Sequence, residues 1–486
     1  MISDFEDHFR AGETLGLLSE SWMRATYPEI AGLGLTDIMV SPNRFHCATS
    51  PAFDPVAYTE TYADVSGFAQ HPFIHFMRHG RDEGREPLPL FDLEALAAGV
   101  PFDSRLWIES HDLSLTGAPM ALMSFLEGSE TLRQHGVLAA PHVGPLRSRA
   151  EALGLPLLLH AQSFRRATGL ERYDTLVARM MRLLKATNIT SVLANSVASF
   201  PTVAAGLELG LPVSWIIHEP DPEEMQAMVP QEIWESVLPK LREVDRLTFV
   251  SEQSRAAWMG AETVAGVNVV PKAIPKRHAP DRSAGRKAAR CGPGDLMVLS
   301  VGTFSPRKGQ ADLVSALEAI AEDEAVSALV IMMVGFVPSP FGEALMDRIS
   351  TLRNCGIRII VQPQSKTSEE RESVEALFAA ADVFVMSSHA EARPLTTSEA
   401  LAAGTPVIST DAPGIAELVS DGQTGALYPT GNATALAALL MRYLENRALL
   451  KYMRRQIVAQ EDPGHHGRMV RDLEQSVLPD THSSNA

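Results

Sequence analysis

Asp382 to Thr410 reads DVFVMSSHAEARPLTTSEALAAGTPVIST, and its rhythm decides the fold class. Val383-Phe384-Val385-Met386 is a short apolar run of the buried-strand type. A polar loop, Ser387 to Pro394, separates it from a helix-prone run, Thr396 to Ala403. Gly404 stands where a helix C-terminus favours glycine, and Pro406-Val407-Ile408 opens another strand. Strand, loop, helix and strand in this order form a unit of a parallel sheet, so an α/β, doubly wound architecture is expected. Ligands bind beyond the carboxyl ends of the strands in such sheets, which puts the loop at a ligand site. Glu391 and Glu399, with seven residues between them, are the candidate functional acids. A second reading stays open: Thr396-x-x-Glu399 has the spacing of a capping box, with Glu391 a solvated loop acid.

The totals bound the class. A chain of 486 residues exceeds one ordinary core, so two or three domains are expected. Apolar residues make up 45%, ample for globular packing. A formal charge of −17 argues against general nucleic-acid affinity, although a local basic patch remains compatible with peripheral contact at the inner face of a membrane. The three cysteines, Cys47, Cys291 and Cys355, form no close pair, which fits a reducing compartment rather than a disulfide framework or zinc knuckle. The opening MISDFEDHFR lacks the apolar stretch of a signal peptide, and the longest apolar run, Ala328 to Phe336, is far short of a membrane span. A cytoplasmic protein is the expectation.

Residues 1–104 do not alternate strands with helices and read as a small helical module. Asp54 caps a helix beginning at Pro55, and a second short helix runs from Pro72 to His79, ending at Gly80. His71, His75 and His79 recur every four residues. A shared metal ion is one reading, and a packed helix is the other, because Phe73, Phe76 and Met77 interleave with them.

From Leu106 the rhythm becomes that of βα steps, giving a first lobe over 105–275. Strands are expected at Leu106–Ile108, Leu157–Leu159, Val192–Ala194, Val213–Ile217 and Leu247–Val250. Gly117 lies in the first βα turn, ahead of a helix from Met120 to Glu127, where free backbone N–H groups suit a close-approaching anion or acceptor; an ordinary turn is the alternative. His218 and Glu219 follow a strand's carboxyl end, where either catalysis or simple core hydrogen bonding places a histidine. Residues 276–295 read as a linker. A second lobe, 296–453, opens with Val298–Val301 and then Gly302-Thr303-Phe304-Ser305-Pro306-Arg307-Lys308-Gly309 before a helix at Gln310. Adjacent cations at a helix N-terminus suit a diphosphate, with a solvated turn as the alternative. GIRIIVQPQ, Gly356 to Gln364, is a further strand and loop, and 454–486 closes the chain.

Glu391, Glu399-Ala400 and Gly404-x-Pro406-Val407 resemble, in order and spacing, the pattern of family 4 of the GT-B glycosyltransferases. The resemblance extends over Leu106 to Met453. It implies two Rossmann-like lobes facing a cleft, with 454–486 a crossover helix and tail, and transfer of a hexosyl group from a nucleotide-diphosphate sugar, with retention and without a metal or other cofactor. Residue by residue, it implies Glu391 beside the donor sugar and Glu399 on the ribose hydroxyls. Lys308, with Arg307 and Thr303, falls on the diphosphate, as do Leu395 and Thr396 through the helix N-terminus. Gln364 falls near the base, Gly117 on the acceptor side, and His218 as an orienting catalytic group. The chain departs from the family at Thr303, where an arginine is common, and at Arg393-Pro394. FDPVAYTETYADV, with HFMRHGRDEGREP, resembles a module found beside bacterial polysaccharide glycosyltransferases, which points to a saccharide or lipid-linked acceptor in surface polysaccharide synthesis. Two rival readings stand beside this one: a non-catalytic GT-B binding or scaffold subunit, and a GT-B sugar-nucleotide epimerase.

Overall fold

The computed structural model describes residues 2–87, 106–260, 266–270, 282–459 and 465–478, apart from residues 28, 29, 31, 43, 44, 46, 51, 143, 161, 188, 366 and 413. Two parallel sheets organise the chain beyond the amino-terminal region. The first holds β1 (Leu106–Ser110), β2 (Gly136–Ala140), β3 (Leu157–Leu159), β4 (Ser191–Asn195), β5 (Val213–Ile217), β6 (Arg246–Phe249) and β7 (Val267–Val269), in the spatial order β3-β2-β1-β4-β5-β6-β7. The second holds β8 (Leu296–Val301), β9 (Leu329–Phe336), β10 (Arg358–Pro363), β11 (Val383–Met386), β12 (Val407–Thr410) and β13 (Gly425–Tyr428), in the order β10-β9-β8-β11-β12-β13.

The strands are parallel because both of their faces are covered. β1, β2, β4 and β5 are buried at every position, as expected of strands sandwiched between helical layers. On one face of the first sheet the helix Leu170–Ala186 packs with Phe200–Glu208. On the other lies Gly117–Gly128, apolar enough that Pro119 to Leu126 are all buried. The strand order reverses direction between β1 and β4, and again between β8 and β11. Those two switch points open crevices at the carboxyl edges, and the loops beside them are where ligand chemistry belongs.

The amino-terminal region folds around Phe53, Tyr58, Phe73 and Phe76. Asp54 caps the helix Pro55–Thr61 as expected, its Oδ1 accepting from the Val56 amide at 3.0 Å. The helix Pro72–His75 runs on as a π-turn through Phe76–Gly80. His71 and His75 take structural partners: His71 bonds the Cys47 carbonyl at 2.9 Å and accepts the Phe73 amide, and His75 meets the Tyr58 hydroxyl at 3.2 Å. Among the described residues no group of three or more His, Cys, Asp or Glu is placed to hold a metal ion. The region is fastened to the first lobe by an ion pair between buried Asp54 and Arg166, and by the Arg179 guanidinium 5.5 Å above the Tyr27 ring.

Of the segment read as a linker, 276–281 lies outside the described residues, and Arg282–Ala288 is a helix. It packs on the helix Ser368–Ala380, and Arg282 and Arg286 reach Asp382 at 2.5 and 2.9 Å. At the far end, Ala433–Glu445 and Arg447–Ala459 complete the second lobe through Leu436, Leu440, Tyr443, Leu450 and Met453. The last helix, His465–Val477, crosses back: Met469, Val470 and Leu473 join the first lobe's core, and the Ser214 hydroxyl donates to the Val477 carbonyl at 2.5 Å. No helix among the described residues is long and apolar enough to cross a membrane.

Candidate active site

A cavity of about 390 Å³ lies between the lobes. Leu115, Thr116, Gly117 and Met120 line it from the first lobe, beyond β1. Most of the opposite wall comes from the loops after β8 and β11, one on each side of the second switch point, with Val334 and Gly335 of β9, Gln364 and Ser365 after β10, and Val374 completing it.

The loop after β8 is built tightly. Gln310, itself buried, donates to the carbonyls of Gly302 and Thr303, both at 3.1 Å, and its Oε1 accepts from the Ser305 amide at 3.3 Å. Phe304 anchors the loop in the core edge-on to Phe336. A short 3-10 turn, Pro306–Lys308, ends at Gly309 with φ of 63°. A Cβ at Gly309 would lie 1.9 Å from the Ser387 carbonyl oxygen, so only glycine lets the two loops touch. Gly335, at φ of 122°, plays the same part behind them: its Cβ would fall 2.1 Å from the Gly302 carbonyl.

This contact sets the charges. The His389 amide donates to the Arg307 carbonyl at 2.8 Å and the Ser387 hydroxyl to the Lys308 carbonyl at 3.2 Å. Lys308 Nζ then meets Glu391 Oε1 at 2.5 Å, while Arg307 Nη1 lies 3.3 Å from the same oxygen and donates to the Ala390 carbonyl at 3.0 Å. Glu391 is largely buried, its side chain 11% exposed. Three cations, Arg307, Lys308 and Arg393, face two carboxylates, Glu391 and Glu399, around the cavity. In a chain of net charge −17 this is a locally positive site, suited to an anion. Burial pushes the Arg393 guanidinium below its ordinary value, with the charge of Glu417 opposing the shift.

The helix after the Glu391 loop corrects one expectation. It spans Leu395–Ala402, starting one residue earlier than expected, with Pro394 at the N-cap and no side-chain cap. Thr396 is therefore the second helical residue and Glu399 the fifth, and the reciprocal capping box cannot close. Thr396 Oγ1 turns to Met386 Sδ at 3.8 Å instead. Leu395, Thr396 and Glu399 all line the cavity, and the first-turn N–H groups carry the positive end of the helix dipole.

Of the residues singled out in the sequence, Gly117, Thr303, Arg307, Lys308, Gln364, Glu391, Leu395, Thr396 and Glu399 converge on this cavity. His218 is not in its lining. It sits beyond β5 with Nε2 at 2.7 Å from Asn195 Oδ1, and Asn195 Nδ2 donates to the Ala118 carbonyl at 3.1 Å. The amide fixes Oδ1 as the acceptor, so His218 Nε2 carries the hydrogen. His218 thus connects to the cavity's helix through Asn195, which the sequence reading missed because 23 residues separate the two. Glu219 is structural, accepting from the Ser196 hydroxyl at 2.6 Å and the Val197 amide at 3.2 Å. Val301, Val334 and Val374 line the cavity too, and nothing local distinguishes them from ordinary core valines.

Residues 281–459 match the family described as "Glycosyl transferases group 1". That segment is the second lobe, with Lys308, Glu391 and Glu399 inside it. Among curated proteins, the chain is 35% identical over 167 residues to D-inositol 3-phosphate glycosyltransferase 2 of Catenulispora acidiphila, an alignment covering 33% of this chain and 38% of that protein. It is 28% identical over 159 residues to the amylovoran biosynthesis glycosyltransferase AmsK of Erwinia amylovora, covering 32% and 37%. The chain thus spans under two-fifths of the length of these relatives. Among solved structures, Anabaena HepE in complex with UDP-glucose superposes with a TM-score of 0.63 at 18% identity, over 76% of this chain and 99% of that one. Sucrose-phosphate synthase from Thermosynechococcus elongatus gives 0.58 at 19% identity, over 76% and 98%. The fold is GT-B, with a helical region preceding its two Rossmann-like lobes.

Proposed function

We propose that this chain is a retaining glycosyltransferase of the family 4 kind, moving a hexosyl group from a nucleotide-diphosphate sugar to a saccharide or lipid-linked acceptor. The observation that carries the reading is the Lys308–Glu391 contact at 2.5 Å inside a cavity shared by both lobes. One cation cluster and one acid, side by side, suit a departing diphosphate and the sugar it leaves.

The chemistry follows from the charges. As the glycosidic bond lengthens, negative charge grows on the diphosphate. Arg307, Lys308 and the amino end of Leu395–Ala402 stabilise it with fixed positive charge, which needs no reorganisation during the reaction. An ammonium has three donors, so Lys308 holds Glu391 and a phosphate oxygen together. Glu391 offsets the cationic character developing at the anomeric carbon. Glu399 takes the ribose hydroxyls, Gln364 and its strand end flank the base, and Thr303 contributes a neutral donor to the phosphates. Gly117, with no atom within 4 Å of a Cβ built on it, leaves the acceptor side open. His218 orients that side through Asn195. The leaving phosphate takes the acceptor's proton on the same face of the sugar, which gives retention without a covalent enzyme intermediate or a metal ion. A cytoplasmic location at the inner membrane face, in surface polysaccharide synthesis, accords with the amino-terminal module's resemblance.

A thermal-shift screen of nucleotide sugars identifies the donor, because a ligand of the folded state raises apparent stability by mass action. With that donor, nucleoside diphosphate is released only when acceptor is present. Glu391→Ala lowers turnover by roughly 100- to 1000-fold while donor binding persists. Acceptor-independent release, or full turnover in Glu391→Ala, would contradict the proposal.

A further inference from the structure

Arg307 and Lys308 converge on one oxygen of Glu391, at 3.3 and 2.5 Å. Two positive charges on one carboxylate leave a net of one (2 − 1 = 1) at that point. A pyrophosphate bridge carries more negative charge than this. The first-lobe wall of Leu115, Thr116, Gly117 and Met120 supplies none to balance it, and Glu399 adds another carboxylate to the lining.

The remaining cation of the lining is Arg393. It directly precedes Pro394 and the uncapped start of Leu395–Ala402, so its guanidinium and the first-turn N–H groups come from the same stretch of wall. Burial disfavours the charge of Arg393, and the charge of Glu417, on the short turn Ala416–Leu418 outside the lining, opposes that shift. A desolvated cation in a cavity wall is stabilised when an anion enters, and the planar fork of arginine matches two phosphate oxygens at once.

We infer that Arg393 binds the diphosphate of the donor as a third cation beside Arg307 and Lys308. This rests on the cavity being the nucleotide-sugar site. With Arg393 adding charge at the phosphates, Lys308 holds Glu391 and a phosphate oxygen together in the donor complex. The acid therefore stays fixed beside the sugar while the leaving group departs.

The test is calorimetric titration of the full chain with nucleoside di- and monophosphates of the same base: UDP and UMP, then the guanosine and adenosine pairs. Wild type prefers the diphosphate. Arg393→Gln weakens diphosphate binding about 10- to 100-fold, leaves monophosphate binding unchanged, and Arg393→Lys recovers part of the loss. Retained monophosphate binding shows that the variant is folded. Equal diphosphate affinity in wild type and Arg393→Gln would overturn the inference and leave the nucleotide site standing. Equal loss of both nucleotides in both variants would overturn it too, since the arginine would then be shaping the wall. A wild-type chain that binds no nucleoside diphosphate would overturn this inference and the transferase reading together.

Discussion

Single positions decide whether the site exists. Gly309 is the sharpest case, because its left-handed backbone and its approach to Ser387 are separate demands on one residue. Gly309→Ala costs the left-handed penalty of about 1 kcal/mol, plus whatever is needed to push the two loops apart. Gly431 supplies the control: at φ of 76°, with nothing within 4 Å of its Cβ, its alanine variant carries the first cost alone. Denaturant midpoints should place Gly309→Ala roughly 1–3 kcal/mol below Gly431→Ala, with donor binding weakened only in the former. Equal midpoints and equal binding would mean that the loop contact does not hold the cavity together. A turn at Lys308-Gly309 was one reading of the sequence, but neither the need for glycine there nor its partner was legible. Ser387 lies 78 residues on (387 − 309 = 78), and only the parallel pairing of β8 with β11 brings the two loops side by side.

Secondary-structure elements were legible where their composition was extreme. Val383–Met386 and Val213–Ile217 are runs of large apolar residues between polar loops, and both are strands with the expected limits. Gly136–Ala140 and Gly425–Tyr428 are strands that glycine and alanine hide by diluting the apolar signal: the first is an inner strand buried at every position, the second an edge strand paired only with β12. The start of Leu395–Ala402 was misplaced by one residue: Thr396-x-x-Glu399 imitates a capping box, while Pro394 takes the N-cap instead. Arg282–Ala288 was hidden by a cluster of charges that reads as a hinge. Its arginines are held by Asp382, which also accepts the Met297 amide at 2.9 Å. Asp382→Ala removes the acceptor shared by that helix and the start of β8. Because Arg282 is 39% exposed, solvent softens the effect, and a loss of roughly 1–3 kcal/mol in equilibrium unfolding is expected. An unchanged midpoint would show that the helix is held by its packing on Ser368–Ala380 alone.

At the scale of the molecule, two ties fix the arrangement. The last helix returns to the first lobe through Met469, Val470 and Leu473. The amino-terminal module docks through Asp54 and Arg166, a pair that no local pattern could disclose across 112 positions. Asp54 is fully buried, so Arg166→Ala leaves its carboxylate without that partner and destabilises the chain by about 3 kcal/mol, read as a lowered unfolding midpoint. No change would mean that the module contributes nothing to the first lobe's stability. The lobes themselves meet around the cavity, and the two-sided character of that cavity is the central claim.

Amide hydrogen exchange with and without the stabilising nucleotide sugar tests that claim most directly. The account predicts slowed exchange together in residues 302–309, 387–396 and 113–120. Protection confined to one lobe, or binding that leaves both second-lobe loops unchanged, would contradict it.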